Sequence, residues 1–398
     1  MEKLSIKFRG LLSKISTEYI RNLYYKIDWN SRGIAIIGAR GVGKSTLLLQ
    51  YAKLNLPIEK SLYITLDDLY FTENTLSSVI DEFYVLGGRH LLIDEVHKYP
   101  NWETEIKNAY DFYPDLQIIL TGSSVVALKK AQVDLSRRIA HYYLTELSFR
   151  EYLGIMYSFD FPVVTIDELI ENNAILTSEW VSTLISPVKY YQEYIQYGAY
   201  PFIKQNKLDY LTRINQIITV IIDYDLPQVQ PIEVQTLFKI KRLLFILSRS
   251  VPFKPNINKL SQQLETGRNH ILTHLHSLEQ AGLIHNLKTS TSGISLMNKP
   301  EKIYLRNTNL IYALAEGMPD VGNIRETVLL SWLINAGLRV DYPKQGDFLL
   351  NDSITVEVGG KEKGYQQIKD IPNAIIAADG IEHGFQRKIP LWAFGFLY

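Results

Sequence analysis

Two short groups of residues in this chain have the types and spacing needed to act on phosphate. The first follows the pattern Gly-x-x-x-x-Gly-Lys-Ser, with Gly38, Gly43, Lys44 and Ser45 at the defining positions. Glycines let a loop fold its backbone N–H groups around phosphate oxygens, a lysine reaches the β and γ phosphates, and a hydroxyl ligates Mg²⁺. The apolar run at 34–37 predicts a strand that leads into this loop. The residues expected to bind a nucleoside triphosphate are Gly38, Ala39, Arg40, Gly41, Val42, Gly43, Lys44, Ser45 and Thr46.

The second group is a pair of acids, Asp94 and Glu95, that closes the apolar run at 90–93. A short apolar run ending in acids is typical of a buried strand that delivers carboxylates to a site. We expect Asp94 to hold the Mg²⁺ shell and Glu95 to orient and deprotonate the attacking water, with Lys44 acting on the phosphates. The alternative is an acidic strand end or a helix cap.

A third apolar run, at 116–120, ends in hydroxyl residues instead of acids. We expect this strand to lie between the other two. Ser123 is the first candidate to sense the γ phosphate or to hold the water, and Thr121 is the second. Capping of a following helix at 125–130 is the alternative, and the two roles are compatible.

Four segments of the chain resemble one family of proteins. The stretches 93–102 (Ile-Asp-Glu-Val-His-Lys-Tyr-Pro-Asn-Trp), 121–124, 135–139 and 146–153 are similar to the AAA-type ATPases of bacteria and archaea that carry a C-terminal domain of unknown function. The resemblance implies that Arg138 takes the position of the family's arginine, which would stabilise transition-state charge at the γ phosphate. A surface arginine on an edge strand is the alternative.

Composition excludes several classes of protein. The chain has 398 residues, 42 basic against 42 acidic side chains, and no cysteine. The balanced charge argues against a globally basic nucleic-acid coat, and the missing thiols exclude disulfides and thiolate metal sites. No apolar run is long enough to span a bilayer, and the N-terminus is too charged for a secretion signal. We therefore expect a cytoplasmic protein without a membrane partner.

The order of strand and helix patterns predicts an α/β fold with several domains. Strands and helices alternate up to residue 145, which indicates a parallel sheet covered on both faces. We expect a P-loop AAA-like core at 1–145, a helical lid at 146–235, a winged helix-turn-helix at 236–315 and a restriction-endonuclease-like α/β domain at 316–398.

The predicted winged helix has a weak nucleic-acid signal. Residues 251–290 carry Lys254, Lys259, Arg268 and Lys288 against two acids, which is little charge for gripping phosphates. DNA binding and a docking or packing role are both open at this point.

Acidic residues in the last segment fall in a familiar order. Glu326 lies in a predicted helix and Asp347 and Glu357 in predicted strands, with Lys361 close behind. This order resembles the restriction-endonuclease-like fold, in which such residues gather Mg²⁺ for phosphodiester cleavage. Gly359 stands where that fold usually has its lysine, so the site is intact, rewired or inactive.

The sequence as a whole predicts a Mg²⁺-dependent ATPase whose cofactors are ATP and Mg²⁺. Its hydrolysis cycle would drive a domain rearrangement, and the predicted winged helix and C-terminal domain would act on a nucleic acid such as DNA. Two alternatives are a regulatory switch that engages a protein partner in its ATP state and a nucleotide-gated nuclease. Assembly into an oligomer is compatible with each of them.

Overall fold

The chain forms two compact units, Met1–Thr145 and Glu146–Tyr398. The computed structural model describes residues 1–122, 135, 137–229, 232–249, 254–289, 299–315 and 317–398. The sequence predicted three domains after residue 145. All three of these segments fall within the second unit, and the boundaries between them stay predictions.

The first unit alternates strands with helices along the chain. Its described elements are α1 (Glu2–Lys14), β1 (Gly33–Ile37), α2 (Lys44–Asn55), β2 (Ser61–Thr65), α3 (Leu76–Val85), β3 (His90–Asp94), α4 (Trp102–Phe112), β4 (Gln117–Gly122) and β5 (Ala140–Tyr143). Short 3-10 turns lie at Asn22–Lys26, Ile58–Lys60, Leu69–Thr72 and Val96–Lys98.

The five strands form one sheet in the order β2-β3-β4-β1-β5. All four pairings are parallel. The strand that ends in hydroxyl residues, β4, therefore lies between β1 and β3, as the sequence predicted. Since the carboxyl ends of parallel strands share one edge, the loop after β1 and the acids after β3 meet at the same edge of the sheet.

The strands of this sheet are buried on both faces, which explains their apolar composition. Every residue of β1 is buried. On α1, Leu4, Phe8 and Leu12 recur every fourth residue and are buried, because this spacing places them on one helix face. α1 ends at Lys14, and the segment between it and β1 contains only the 3-10 turn at Asn22–Lys26.

The second unit begins with helices and ends with a mixed sheet. Its described helices are α5 (Phe149–Tyr157), α6 (Ile166–Leu184), α7 (Pro187–Tyr197), α8 (Tyr210–Val220), α9 (Leu226–Val229), α10 (Val234–Ser248), α11 (Ile257–Gln263), α12 (Arg268–Gln280), α13 (Thr308–Leu314) and α14 (Val321–Asn335), with a π turn at Ile221–Asp225. Its described strands are β6 (Ile284–Leu287), β7 (Lys302–Leu305), β8 (Val340–Asp341), β9 (Phe348–Leu350), β10 (Ile354–Gly359), β11 (Ile375–Ala378) and β12 (Lys388–Pro390). Further 3-10 turns lie at Pro201–Lys204, Tyr365–Gln367 and Leu391–Phe396.

Strands of the second unit belong to two sheets. β6 and β7 pair as an antiparallel hairpin directly after α11 and α12. The other five strands follow the order β12-β11-β10-β9-β8. In this sheet β10, β11 and β12 are parallel, whereas β8, β9 and β10 are antiparallel.

The helical segment predicted as a lid packs on the C-terminal residues of the same unit. Reciprocal capping boxes begin α5 at Ser148 and α6 at Thr165, so the starts of both helices are encoded locally. The ring of Phe149 on α5 contacts Trp332 and Phe396, with ring centroids 6.4 and 5.9 Å apart. This aromatic core joins the first and last segments of the unit.

No helix in the described ranges is both long and apolar enough to cross a membrane.

Candidate functional site

The glycine loop connects the end of β1 to the start of α2 and depends on glycine at three positions. Gly41 and Gly43 have φ angles of 85° and 100°, in the left-handed region that side chains disfavour. At Gly38 a Cβ atom would lie 2.2 Å from the carbonyl oxygen of Leu144, which is closer than any side chain can approach. The loop thus passes directly against the chain that follows β5.

Lys44 lies inside this loop. The residue is only 4% exposed. Its Nζ donates hydrogen bonds to the carbonyl oxygens of Gly38 at 3.1 Å and Ala39 at 3.0 Å. The loop therefore encloses an ammonium group at the N-terminus of α2, where backbone N–H groups also favour anions.

Asp94 is the centre of the polar contacts at this edge of the sheet. Its Oδ2 accepts hydrogen bonds from Ser45 Oγ at 2.6 Å and from the Tyr63 hydroxyl at 2.7 Å. Its Oδ1 accepts a hydrogen bond from Thr121 Oγ1. The side chains that converge on this carboxylate come from α2, β2 and β4, so the fold assembles the two groups of residues that the sequence analysis identified.

Tyr63 is a site residue that sequence reasoning missed. Burial, reinforced by the charge of Asp94, raises its pKa far above the usual tyrosine value, so the phenol keeps its proton. The available signal was a single hydroxyl-bearing ring inside the apolar strand β2, at a sheet edge shared with β3.

Glu95 has an unusual backbone conformation. Its φ is 52°, in the left-handed region that is uncommon for a residue with a side chain. Its N–H donates to Thr121 Oγ1 at 3.3 Å, and His97 Nε2 lies 3.3 Å from Glu95 Oε2. The side chain of His97 is 1% exposed. Backbone strain of this kind persists where neighbouring contacts hold it, and it clusters at functional sites.

The donor set at this edge suits a hard divalent cation. Mg²⁺ prefers oxygen ligands and is usually held by one or two carboxylates together with phosphate oxygens. Ser45 supplies a hydroxyl, and Asp94 and Glu95 supply carboxylates. In the part of the chain that the structure describes, no group of three or more His, Cys, Asp or Glu side chains could hold a metal by itself. The residues therefore fit a metal that binds together with a nucleotide.

Arg21, which the sequence analysis did not single out, secures the loop from outside. Its guanidinium donates to the carbonyl oxygen of Val42 at 2.8 Å and to that of Thr145 at 2.9 Å. The residue is buried. It links the loop to the residues that follow β5.

Two predicted residues are not placed beside the loop. Ser123, like the helix expected at 125–130, lies outside the described residues. Arg138 precedes β5 and forms an ion pair with Asp111, with Nε 2.8 Å from Oδ1. Its carbonyl oxygen lies beside Gly33, the first residue of β1, whereas the loop follows the last residue of β1. The structure therefore does not bring Arg138 to the loop within one chain.

The structure brings three of the four residues of the second candidate site together. Burial raises the pKa of Glu357, and the nearby charges of Asp347 and Glu326 raise it further. Asp347 Oδ2 also accepts a hydrogen bond from the Val358 N–H at 2.9 Å.

Lys361 does not join this cluster. β10 ends at Gly359, and the chain turns so that Lys363 N–H donates to Gly360 O at 3.0 Å. Lys363 Nζ then lies 2.5 Å from Glu357 Oε1. A Cβ at Gly359 would meet the Lys363 side chain at 2.6 Å, so the glycine at the usual lysine position makes room for this later lysine.

The sheet order of the first unit and its site together define a class of protein. A parallel five-stranded sheet with a glycine loop after β1 and a carboxylate after β3 is the architecture of a P-loop nucleotide-binding domain. Residues 30–153 match a family model described as an AAA domain. This segment is thus similar to the ATPase domains of the AAA class.

Particular relatives extend the similarity beyond this segment. The chain is 26% identical over 389 residues to the uncharacterized protein MJ1637 of Methanocaldococcus jannaschii, an alignment that covers 89% of this chain and 81% of that protein. Residues 188–320 match a family described as a domain of unknown function (DUF8612). Residues 321–398 lie outside both family matches, so the restriction-endonuclease-like domain stays a prediction.

Solved structures show weaker similarity. The Walker-type ATPase paby2304 of Pyrococcus abyssi is 13% identical with a TM-score of 0.45, over 76% of this chain and 97% of that chain. AMPPCP-bound DnaA from Aquifex aeolicus is 16% identical with a TM-score of 0.26, over 68% and 84%. Both TM-scores are below 0.5, so neither structure supports a conclusion about this chain.

Proposed function

We propose that the unit Met1–Thr145 binds ATP together with Mg²⁺ and hydrolyses it. One observation carries the proposal. Ser45 Oγ in the loop lies 2.6 Å from Asp94 Oδ2, although the two residues are 49 positions apart in the sequence. A hydroxyl at the phosphate loop and a carboxylate at the end of a neighbouring strand form the pair that a P-loop ATPase needs for Mg²⁺.

Each residue of the loop has a separate role in this proposal. The backbone N–H groups from Gly38 to Thr46 surround the β and γ phosphates, and Lys44 turns its ammonium group from the loop carbonyls to the phosphate oxygens. Ser45 and Asp94 hold the metal. When bound, Mg²⁺ neutralises charge on the β and γ phosphate oxygens.

Glu95 is the general base of the proposed reaction. It accepts a proton from a water molecule while the water oxygen bonds to the γ phosphorus and the bond from that phosphorus to the β–γ bridging oxygen breaks. Its left-handed backbone and the neighbouring His97 restrict its carboxylate. Thr121, which contacts both acids, is a further positioning residue, and Ser123 stays a candidate for holding the water. We keep Arg138 as a candidate that would act on the nucleotide of a neighbouring subunit, since the glycine loop of the same chain lies about the length of strand β1 away from it.

Equilibrium binding of ATP to the full chain tests the first step. Lys44→Ala should weaken ATP binding by about a hundredfold, because a buried ammonium that faces phosphate is lost. Lys60→Ala removes the same charge from an exposed position outside the loop and serves as the matched control. Equal ATP affinity in the two variants would refute the loop assignment.

For the second unit we propose a helix-turn-helix that contacts DNA through the exposed residues of α12. Arg268, Asn269 and Thr273 are exposed on this helix, and Ile271 and Leu275 are buried on the opposite side. Arg268→Ala should weaken duplex DNA binding and reduce its salt dependence. If the wild-type chain binds duplex DNA no better than a neutral protein at low salt, the alternative of a switch with a protein partner takes its place.

A further inference from the structure

The acidic cluster of the second unit contains a cation supplied by the chain itself. Lys302 lies on β7, and its Nζ is 3.0 Å from Glu326 Oε2 and 3.6 Å from Asp347 Oδ1. The Lys302 side chain is only 10% exposed. One ammonium group therefore lies between two carboxylates that come from different parts of the fold.

A second residue of the same strand contacts the cluster. Tyr304 is two positions after Lys302, so both side chains point to the same face of β7. The Tyr304 hydroxyl donates to Glu326 Oε2 at 2.7 Å, the same oxygen that faces Lys302. Glu326 is thus held from the hairpin by a charge and by a hydrogen bond.

Charge balance explains why the cluster needs this lysine. Three carboxylates in partly buried positions repel one another and are costly to desolvate unless cations accompany them. Lys363 forms an ion pair with Glu357, and Lys302 forms ion pairs with both Glu326 and Asp347. Although burial alone would lower the pKa of Lys302, the neighbouring Glu326 and Asp347 raise it above the usual lysine value.

The hairpin also joins the C-terminal sheet through its backbone. The Tyr342 N–H, which follows β8, donates to the carbonyl oxygen of Lys288, which follows β6, at 2.7 Å. Lys302 Nζ lies 5.9 Å from the centre of the Tyr342 ring. Both strands of the hairpin therefore contact the C-terminal sheet or the helix that packs on it, at the end where Leu287 pairs with Lys302.

We propose that the ammonium group of Lys302 is the resident cation of the Glu326–Asp347–Glu357 cluster and occupies the space between Glu326 and Asp347 that a divalent metal would need. The cluster then fastens the β6–β7 hairpin to the C-terminal sheet and does not perform metal-dependent phosphodiester cleavage. This assignment is independent of the nucleotide site in the first unit.

Thermal unfolding of the full chain in a double-variant cycle tests the ionic contact. Lys302→Met leaves two carboxylates without their cation and should lower the Tm by roughly 10 °C. Adding Glu326→Gln to Lys302→Met should recover part of this loss, since fewer unpaired charges are left buried. Lys299→Met removes an exposed lysine of the same segment and should leave the Tm unchanged. Strictly additive Tm changes for Lys302→Met and Glu326→Gln would overturn the proposal.

The effect of Mn²⁺ on the Tm tests whether a metal can replace Lys302 in the cluster, even if Lys302→Met does not fold. The measurement compares nucleotide-free Asp94→Asn protein with the Asp94→Asn, Glu326→Gln double variant. Any Mn²⁺ binding by the first unit then affects the Tm of both proteins equally. Under the proposal, excess Mn²⁺ shifts the Tm of the two proteins by the same amount or not at all. A Tm rise that requires an intact Glu326, or Mn²⁺-dependent DNA cleavage that Glu357→Ala abolishes, would show that a metal displaces Lys302 and would overturn it.

Discussion

At the scale of single residues, the proposed nucleotide site is organised around Asp94. Its carboxylate accepts hydrogen bonds from Ser45, Tyr63 and Thr121, which lie on three different elements. Carboxylates that accept several hydrogen bonds are held in one orientation, and this is what a metal-binding side chain requires. The orientation of Asp94 should therefore depend on its donors as well as on its own strand.

Tyr63→Phe tests this dependence. The change removes one hydroxyl and keeps the ring that stacks on Phe8. Because one hydrogen bond to a charged acceptor is lost, we expect ATP hydrolysis to slow by about tenfold and to need more Mg²⁺ for half-maximal rate. Tyr25→Phe, at a residue that is 72% exposed, is the control. A Tyr63→Phe variant with the wild-type rate of ATP hydrolysis and the wild-type Mg²⁺ dependence would show that the contact is only structural.

Glu95→Gln separates binding from hydrolysis. The amide keeps the size of the side chain but cannot accept a proton from water, so ATP should bind normally while the hydrolysis rate falls by about a hundredfold to ten-thousandfold. Single-turnover measurements with bound ATP report this step directly. Glu59→Gln changes an exposed acid elsewhere in the unit and should have no effect. Wild-type turnover by Glu95→Gln would assign the base to another residue.

Much of this site could be predicted from sequence, because a glycine loop and two adjacent acids after apolar runs carry their chemistry in residue type and order. Tyr63 could not be assigned this way, since its role comes from the pairing of β2 with β3. The position of Arg138 relative to the loop could not be predicted from the sequence either, for a different reason. This residue precedes a parallel strand and therefore lies at the sheet edge opposite the loop, which is evident only once β5 is known to pair with β1.

At the scale of elements, the position of the loop is set by its contact with the chain after β5. Gly38 has no room for a Cβ beside the carbonyl oxygen of Leu144, and Arg21 connects Val42 to Thr145. The loop therefore depends on neighbouring elements as well as on its own glycines.

Gly38→Ala should displace this loop. A shift of the loop by an ångström or less misplaces every phosphate-binding group, so kcat/KM for ATP should fall by about a hundredfold. Gly10→Ala is the matched control, because a Cβ there meets nothing within 4 Å and the residue lies in α1. That change should stabilise the chain slightly, by roughly 0.5–1 kcal/mol. Equal kcat/KM in the two alanine variants would contradict the close contact.

Element boundaries were largely predictable, and the exceptions have local causes. The strands and helices of the first unit match the apolar runs in the sequence. Lys361 was the candidate lysine of the second site, whereas β10 ends at Gly359 and the following turn presents Lys363 to Glu357. A strand can end at two consecutive glycines or continue through them, so spacing along the sequence could not identify Lys363 as the lysine that contacts Glu357.

At the scale of the whole molecule, 146–398 is one unit because its distant segments share a core. Glu146 and Arg306 form a buried ion pair at 3.1 Å, and Asn335 donates to the same carboxylate at 3.3 Å. Contacts between residues so far apart in sequence leave no periodic signal, so sequence patterns alone do not reveal the core that these segments share.

This unit should lose stability in acid. Burial lowers the pKa of His274 from 6.5 to about 4 and lowers that of His285 well below 6.5. The unfolded chain then binds more protons than the folded chain below about pH 6.5, so stability is full above that pH and falls as the pH approaches 4. The Tm should drop between about pH 7 and pH 5, and His274→Gln should reduce the drop. The exposed His383→Gln should not change it, and equal drops in both variants would exclude His274 as a cause.

The most direct test of the central claim is the effect of Mg²⁺ on ATP affinity in the wild-type chain and in Asp94→Asn. If the glycine loop and Asp94 form one site, Mg²⁺ strengthens ATP binding to the wild type, and Asp94→Asn loses most of that gain while still binding ATP without metal. The same Mg²⁺ effect in both proteins, or no ATP binding by the wild type, would contradict the account.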